Sequence, residues 1–339
     1  MTISISLSTS CFTPSFMTWS KVAGARIPSC KTILRYLFPT LELTEAASFI
    51  SCWNKQSNSP HIAGLEVSRL PRSRYFFEKH LEVFRLITSV HASPFTSFDS
   101  QWKRGLKALK NRDPLQTLIQ WGLPWLGFGF SPRLAVNLAV DIYFAQHELI
   151  PHELTPVVLH AGDYQYLKAN GRLGELGGLI CLESDWWPRG RESSFLVSDP
   201  FEIARLAKNL VEECRFVPES GVCLDTSRAQ VMSVPLKDAF GAYGNGSLIR
   251  HIHLCAAVPH HPSAHGLPLG IDFQNWPWDE ESWSQYQTSQ DEIGEFLRKV
   301  AALPNQIGVV IEHSFTSNPF SSVVALSDYT LPWLRNLNL

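Results

Sequence analysis

Six apolar, strand-like runs along this chain carry, at or near their ends, a side chain that can bind a metal ion or move a proton. These side chains are His91, His160, Glu183, Asp225, His253 and Glu312. A mixed set of carboxylates and imidazoles suits Zn²⁺, Mn²⁺, Fe²⁺ or Co²⁺ better than Ca²⁺, which prefers oxygen ligands alone. Burying several carboxylates without countercharge would be very costly, and a divalent cation removes that cost. The pattern therefore predicts a site for one or two divalent ions.

The six residues fall into two groups by their order along the chain. Glu183, Asp225, His253 and Glu312 come from four successive runs, and we expect them to form the core of the site. His91 and His160 come from the two preceding runs. They are expected to hold a second ion, with substrate binding as the alternative.

Eight apolar runs that alternate with helical stretches are available to bring these residues together. The runs are Ile3–Ser8, Ile62–Ser68, Phe84–His91, Pro156–His160, Leu179–Glu183, Val222–Asp225, Ile249–Cys255 and Gly308–Glu312. Nearly continuous apolar strands separated by helices indicate a parallel sheet, and eight of them favour a closed (β/α)8 TIM barrel. The carboxyl ends of barrel strands open on one face, so side chains distant in sequence would meet there. His251 lies on the same side of its strand as His253 and is expected to be deeper, as a supporting or core residue.

The predicted domain organisation is one barrel over residues 1–339 with a helical region inserted at 94–155, after the third strand. No glycine-rich GxGxxG or Walker loop follows any of the strands, which argues against a nucleotide-binding sheet.

Four helices are predicted from the local sequence. Two of them cover Arg72–Phe84 and Ser131–His147, and another runs from the Asp199-Pro200 pair to about Cys214. Ser289 with Glu292 resembles a capping box that would open the fourth.

The amino-acid composition limits which binding partners and which cellular location we expect for this protein. Among 339 residues the chain has 29 basic and 31 acidic side chains, without the basic excess typical of nucleic-acid binding. The seven cysteines are odd in number and lack a CxxC pair, which indicates reduced thiols in a cytoplasmic protein. No apolar run reaches the roughly 18–20 residues of a membrane helix. A small-molecule substrate is expected, and a peptide substrate stays open.

Several of the strand-end segments resemble motifs of the xylose-isomerase-like TIM-barrel superfamily, which includes sugar-phosphate isomerases and epimerases and the endonuclease IV family. The segments are Val90-His91-Ala92, His160-Ala161-Gly162, Gly221–Thr226, Gly266–Asp272 and Ile311–Phe315. The resemblance implies that His91, His160 and Glu183 hold one ion. It implies that Glu183, Asp225, His253 and Glu312 hold another, with Glu183 bridging the two.

Two positions depart from the nuclease pattern. Arg228 stands where that family has a histidine three residues after the aspartate. After the seventh strand, Asp272 and Gln274 stand where the family has an aspartate–x–histidine pair. The resemblance therefore implies that a third nuclease-type metal position is missing, and abasic-site cleavage is disfavoured.

Three reactions are compatible with these residues. In a sugar-type isomerase or epimerase, Glu183 and Glu312 would accept and donate the proton. In a dinuclear phosphodiester hydrolase, Arg228 would stabilise phosphate charge, unless it forms a salt bridge to a ligand carboxylate. A multinuclear iron enzyme that oxidises a peptide or small molecule is the third. A binding protein without turnover is disfavoured because both glutamates are present.

The predicted substrate-binding residues follow the fifth and seventh strands. They are Trp186, Trp187, Asp272, Trp276 and Trp278. Indole rings at these positions could form the apolar walls on which a sugar ring packs, and packing against the barrel rim is the alternative.

Overall fold

A closed barrel of eight parallel strands, ordered around the barrel as they are along the chain, forms the centre of the protein. The computed structural model describes residues 3–12, 39–56, 60–68, 81–92, 132–146, 155–185, 197–213, 219–259, 266–313 and 322–338. The strands are β1 (Ile3–Ser8), β2 (Ile62–Val67), β3 (Ile87–His91), β4 (Val157–His160), β5 (Ile180–Glu183), β6 (Gly221–Asp225), β7 (Ile249–Leu254) and β8 (Ile307–Ile311). The predicted eight-stranded parallel barrel is confirmed. The start predicted for β3 is wrong, because Phe84 ends a short helix instead of opening the strand.

At least one helix follows each strand along the described parts of the chain. The helices are α1 (Pro39–Trp53), α2 (Leu81–Phe84), α3 (Pro132–Gln146), α4 (Ala161–Ala169), α5 (Pro200–Glu213), α6 (Thr226–Val231), α7 (Leu236–Ala242), α8 (Glu280–Ala301), α9 (Ser322–Ala325) and α10 (Leu331–Asn336). The ranges predicted for α3 and α5 are confirmed within one residue at each end. None of the described helices combines the length and apolar character that a membrane span requires.

The helix predicted to open at Ser289 begins much earlier, at Glu280. Asp279 is its N-cap, since the Asp279 carboxylate accepts a hydrogen bond of 2.8 Å from the backbone N–H of Ser282. Ser289 and Glu292 therefore lie inside α8. Their polar groups bond to neighbouring elements instead, as when Glu292 Oε1 accepts from the backbone N–H of Leu236 at 2.6 Å. The prediction was wrong because a capping box was assigned from its two side chains alone.

The region predicted as a helical insertion, 94–155, is described only from residue 132 to 146 and at residue 155. Nearly all of that described part is α3, which packs against β3 and β4. The helix thus occupies the position of a regular barrel helix after the third strand. The expected extra helices in 94–131 lie outside the described residues.

Two apolar clusters hold the barrel together. The larger one packs the outward faces of the strands, with residues such as Leu65 and Leu182, against the surrounding helices. A separate, small cluster comprises Val158, Cys181 and Cys223. Side chains alternate along a strand, so these three share the inner face with the strand-end residues two positions later.

Several other residues on the inner face are polar, whereas barrel interiors are usually filled by branched apolar side chains. Glu66, Ser89 and His251 are each buried, and the side chains of Ser89 and His251 both bond the carboxylate of Glu66. This part of the barrel interior is therefore a hydrogen-bonded network beneath the strand ends.

Packing between strands is very close at Gly64 in β2. A Cβ atom at this position would overlap the backbone carbonyl oxygen of Leu86 and lie 2.6 Å from Cγ2 of Thr88. The register between β2 and β3 shifts next to this residue, between Leu65 and Glu66. Glycine is thus required by the close approach of the chain segment that leads into β3.

Candidate metal centre

Strand register brings the predicted ligands to one level of the barrel. His160 of β4 is paired with Glu183 of β5, and Asp225 of β6 is paired with His253 of β7. Glu312 follows β8 directly, and its backbone N–H donates to the carbonyl oxygen of the residue that follows His253. Residues far apart in sequence therefore meet at the carboxyl ends of the strands, as the barrel predicts.

Four of the predicted ligands form one compact group. Ligand atoms of Glu183, Asp225, His253 and Glu312 all lie within 4.8 Å of one another. Nδ1 of His253 is 2.6 Å from Oε1 of Glu183 and 3.2 Å from Oε2 of Glu312. The core set of four residues is thus brought together as the sequence indicated.

Glu66 of β2 is a part of this centre that the sequence did not reveal. The residue is 1% exposed and its carboxylate lies between two imidazoles: Oε1 is 3.0 Å from Nε2 of His253, and Oε2 is 2.9 Å from Nε2 of His251. Ser89 also donates a hydrogen bond of 2.9 Å to Oε2. The available signal was a glutamate inside an apolar strand, in a position that is not a strand end.

Contact with Glu66 orients His253. Burial alone would raise the pKa of Glu66, but the charges and hydrogen bonds of His253 and His251 hold it well below its usual range. Nε2 of His253 lies 3.0 Å from Oε1 of this ionised carboxylate, and the attraction favours a hydrogen on Nε2 although the contact does not have the geometry of a hydrogen bond. Once Nδ1 has lost its own proton, its lone pair is available to a metal ion beside Glu183 and Glu312. Carboxylate support of this kind is typical of histidines that bind metals.

His91 is oriented in a comparable way. Nδ1 of His91 is 2.9 Å from the carbonyl oxygen of Ala92, which can only accept, so this nitrogen carries the hydrogen. Nε2 then faces Oε2 of Glu183 at 3.3 Å. His91, Glu183 and His253 form a second group of ligand atoms within 4.8 Å, which shares two members with the four-residue group.

His160 has different neighbours. Its Nε2 lies 3.4 Å from Oε2 of Glu183, but its Nδ1 lies 3.2 Å from NH1 of Arg228. Nδ1 is also 3.7 Å from Oδ1 of Asp185. Among the described residues, no group of metal-competent atoms within 4.8 Å includes His160.

Arg228 forms salt bridges to two of the predicted ligands. NH1 lies 2.9 Å from Oε2 of Glu183, and Nε lies 2.9 Å from Oδ2 of Asp225. NH1 also donates to the carbonyl oxygen of Ser184 at 2.6 Å. This arrangement is the one that the sequence offered as the alternative to phosphate binding.

The two glutamates that flank His253 have opposite pKa shifts. Burial would raise the pKa of Glu183, but Arg228 and His253 hold it well below its usual range. Burial raises the pKa of Glu312, and the attraction of His253 does not offset that effect. The side chain of Glu312 is 27% exposed whereas that of Glu183 is 0% exposed, so Glu312 lies on the open side of the site.

His253 itself is a strong proton binder. Burial opposes a charged imidazole, but the carboxylates of Glu66 and Glu183 raise the pKa of His253 well above its usual range. The proton on Nδ1 then lies between Glu183 and Glu312. A divalent cation between these two carboxylates would carry two positive charges instead of the one charge of the proton.

The donor set fits a divalent transition metal. Oε2 of Glu183 is fully buried and accepts no hydrogen bond of good geometry among the described residues, although basic nitrogens surround it. One imidazole and three carboxylates offer the borderline ligands that Zn²⁺, Mn²⁺, Fe²⁺ and Co²⁺ accept. The residues that would hold the ion are Glu183, Asp225, His253 and Glu312, with His91 beside them.

A third group of metal-competent atoms lies deeper, formed by Cys223, His251 and His253. Burial raises the pKa of the Cys223 thiol well above its usual range, so the thiolate that a metal needs is disfavoured. His251 already bonds Glu66. Cys223 and His251 therefore form the floor of the site.

Trp276, a predicted substrate-binding residue, lies in an aromatic cluster. Its indole N–H donates to Ser282 Oγ at 3.1 Å, and its ring packs against Trp278, Trp283 and Tyr286. These contacts favour the alternative of rim packing for Trp276 and Trp278.

Of the remaining three predicted substrate-binding residues, the structure describes only Asp272. Asp272 is exposed and caps a short 3-10 helix by accepting from the backbone N–H of Asn275, which is a structural role. Trp186 and Trp187 lie outside the described residues.

Asp185 is a second buried carboxyl that the sequence did not reveal. Its Oδ2 accepts hydrogen bonds from the backbone N–H groups of Gly162 (2.6 Å) and Val197 (3.1 Å). Burial nevertheless raises its pKa to about 7. Through Gly162 the residue joins the end of β5 to the start of α4 beside the site.

No protein-family model matches the chain, and no curated protein matches it.

Proposed function

We propose that this protein is a divalent-metal-dependent isomerase or epimerase that acts on a small hydroxy-carbonyl compound such as a sugar. The observation that carries the proposal is the pair Glu183 and Glu312, which flank one metal-competent atom and whose pKa values are shifted in opposite directions. Pairs of carboxyls with separated pKa values are typical of sites that take a proton at one place and return it at another.

Each residue has a distinct part in this reaction. A divalent ion, when bound, would polarise the substrate carbonyl and make the adjacent C–H group more acidic. Glu183, held ionised by Arg228, accepts that proton. Glu312, the more exposed of the two carboxyls, returns one to the neighbouring carbon or to the opposite face of the same carbon. The substrate gains and loses one proton, so its composition is unchanged.

The exposure of the side chains supports the direction of substrate entry. His253 and Glu183 are fully buried, whereas His91, Arg228 and Glu312 have exposed fractions of 13%, 14% and 27%. A small substrate would thus meet Glu312 and His91 first, at the carboxyl ends of the strands where barrel enzymes bind substrates.

Deuterium exchange tests the proposal directly. The Mn²⁺-loaded protein is incubated in D₂O with a panel of aldoses, ketoses and their phosphates, and label at the carbon beside the carbonyl is followed by NMR. We expect incorporation with at least one compound and a loss of about 10²–10⁴-fold in Glu312→Gln, the usual contribution of a general acid or base. Glu219→Gln, which changes an exposed residue away from the site, is the matched control.

Two results would contradict the proposal. One is the absence of exchange across the panel at every metal loading, together with cleavage of a phosphodiester such as bis(p-nitrophenyl) phosphate, which would favour the hydrolase. The other is equal exchange by wild type and Glu312→Gln, which would remove Glu312 from the chemistry.

A further inference from the structure

The guanidinium of Arg228 is built into the centre at the position where a second ion would bind. It bridges Glu183 and Asp225 at 2.9 Å each and donates to the carbonyl oxygen of Ser184. Its backbone N–H also donates to Oδ1 of Asp225 at 3.0 Å, because Asp225 is the N-cap of α6. Because Arg228 lies three residues after this N-cap, the helix places its side chain beside the carboxylate of Asp225.

A second ion would need Oε2 of Glu183. Nε2 of His91 and Nε2 of His160 lie 3.3 and 3.4 Å from this oxygen. Two ligand atoms that each bind the same ion at about 2.0–2.2 Å are separated by a similar distance, so these atoms are spaced as ligands of one ion would be. The same oxygen already forms the ion pair with NH1 of Arg228. An ion bound to Oε2 of Glu183 would lie at most about 5 Å from NH1 of Arg228. The two positive charges would repel each other and would share the lone pairs of this oxygen.

His160 is not oriented as a ligand. A guanidinium can only donate, so Nδ1 of His160 accepts from Arg228, and the hydrogen of the neutral imidazole is on Nε2. An N–H group, and not a lone pair, thus faces Glu183. His91 keeps a lone pair, but its ligand group shares Glu183 and His253 with the four-residue group, so one ion is within reach of both.

We propose that Arg228 takes the place of a second metal ion and makes the centre mononuclear. The inference rests on the proposed metal-dependent function and specifies it further. The ion is held by Glu183, Asp225, His253 and Glu312, and Arg228 supplies the second positive charge as a fixed side chain. His160 is then a positioning residue for Arg228.

Metal stoichiometry tests this inference without relying on activity. Metal-free protein is dialysed against excess Mn²⁺, and bound Mn²⁺ is counted by mass spectrometry and examined by EPR. Wild type is expected to bind one Mn²⁺ with an uncoupled spectrum. Arg228→Gln is expected to bind two, with the spectrum of a coupled pair, and Arg228→Lys to bind one because it keeps a cation.

Two further variants complete the experiment. Arg205→Gln changes an exposed arginine on α5 and should bind one Mn²⁺ like wild type. His160→Ala should also retain one Mn²⁺, since His160 is not a ligand, and this measurement stands even if Arg228→Gln does not fold.

The outcomes separate this inference from the proposed function. Two Mn²⁺ in wild type, one in folded Arg228→Gln, or none in His160→Ala would each overturn the role of Arg228 while leaving a metal protein. No Mn²⁺, Zn²⁺, Fe²⁺ or Co²⁺ in wild type would overturn the proposed function itself.

Discussion

At the scale of single residues, Glu66 links the floor of the barrel to the metal centre. It faces Nε2 of His253 and Nε2 of His251, and Ser89 donates to it. Carboxylates that support a ligating histidine fix the tautomer of the ring and raise its basicity. Glu66 would therefore act on a bound ion through His253.

Replacing Glu66 by glutamine should weaken metal binding without abolishing it. An amide keeps the shape but loses the charge that favours a hydrogen on Nε2 of His253. We expect the Kd for Mn²⁺ or Zn²⁺ to increase about 10–100-fold, the usual effect of removing such a partner. The measurement is a competition titration with a chromophoric chelator.

Glu219→Gln is the control for this variant because Glu219 is exposed. An unchanged Kd in a folded Glu66→Gln protein would show that His253 does not depend on Glu66 for its orientation.

Sequence alone located the candidate ligands at strand ends but not the buried carboxyls beside them. Glu183, Asp225 and His253 could be predicted because the carboxyl ends of parallel strands must share a face. Glu66 and Asp185 could not, since whether a buried carboxyl is paired depends on strand register and on loop contacts.

The salt bridges of Arg228 were foreseen only as an alternative. A guanidinium suits carboxylate and phosphate equally well, so its residue type does not decide between them. The choice depends on how close Glu183 and Asp225 come to it, and that distance is set by the whole barrel.

At the scale of elements, Gly64 allows β2 to pack closely against the segment before β3. The backbone carbonyl of Leu86 occupies the space that any side chain at this position would need. Overfilling a packed site of this kind forces the backbone to shift.

Gly64→Ala is expected to lower the free energy of unfolding by about 1–3 kcal/mol. Gly177→Ala is the matched control, because a Cβ there would meet no atom within 4 Å and its φ is not positive. Urea denaturation of both variants measures the difference. Equal destabilisation by the two substitutions would show that the crowding at Gly64 is relieved by small movements of β3.

The elements themselves were predicted better than their caps. Strands were recognised by short apolar runs, and their bounds depend little on distant contacts. The start of α8 was misplaced because Ser289 and Glu292 have the spacing of a capping box, while the real cap is Asp279, in the loop before the helix. Local polar spacing alone does not distinguish a cap from a helix interior.

At the scale of the whole molecule, a proton and a metal ion would compete for His253, and each would stabilise the folded state. In the metal-free protein, the raised pKa of His253 means that its proton stabilises the folded state fully below the ordinary histidine value of about 6.5. That contribution is lost as pH rises through the higher folded pKa. A metal ion that replaces the proton restores the lost stabilisation.

The increase in Tm caused by a fixed excess of Mn²⁺ should therefore be larger at pH 8 than at pH 6. At 100-fold excess over Kd, binding contributes about 2.7 kcal/mol, and this value falls as protons compete. Calorimetry or scanning fluorimetry with and without a chelator measures the shift. A shift that does not depend on pH would mean that no proton leaves the site when the metal binds.

The polar interior of the barrel has a consequence for the evolution of related proteins. Where most barrels place Val, Ile and Leu, this one places Glu66, Ser89 and His251, and a buried network of this kind is often less stabilising than well-packed apolar side chains. A lineage that abandoned the reaction could replace these positions with apolar residues and become more stable. Retention of these three buried residues in a diverged homologue would therefore be a better sign of preserved chemistry than retention of the exposed rim.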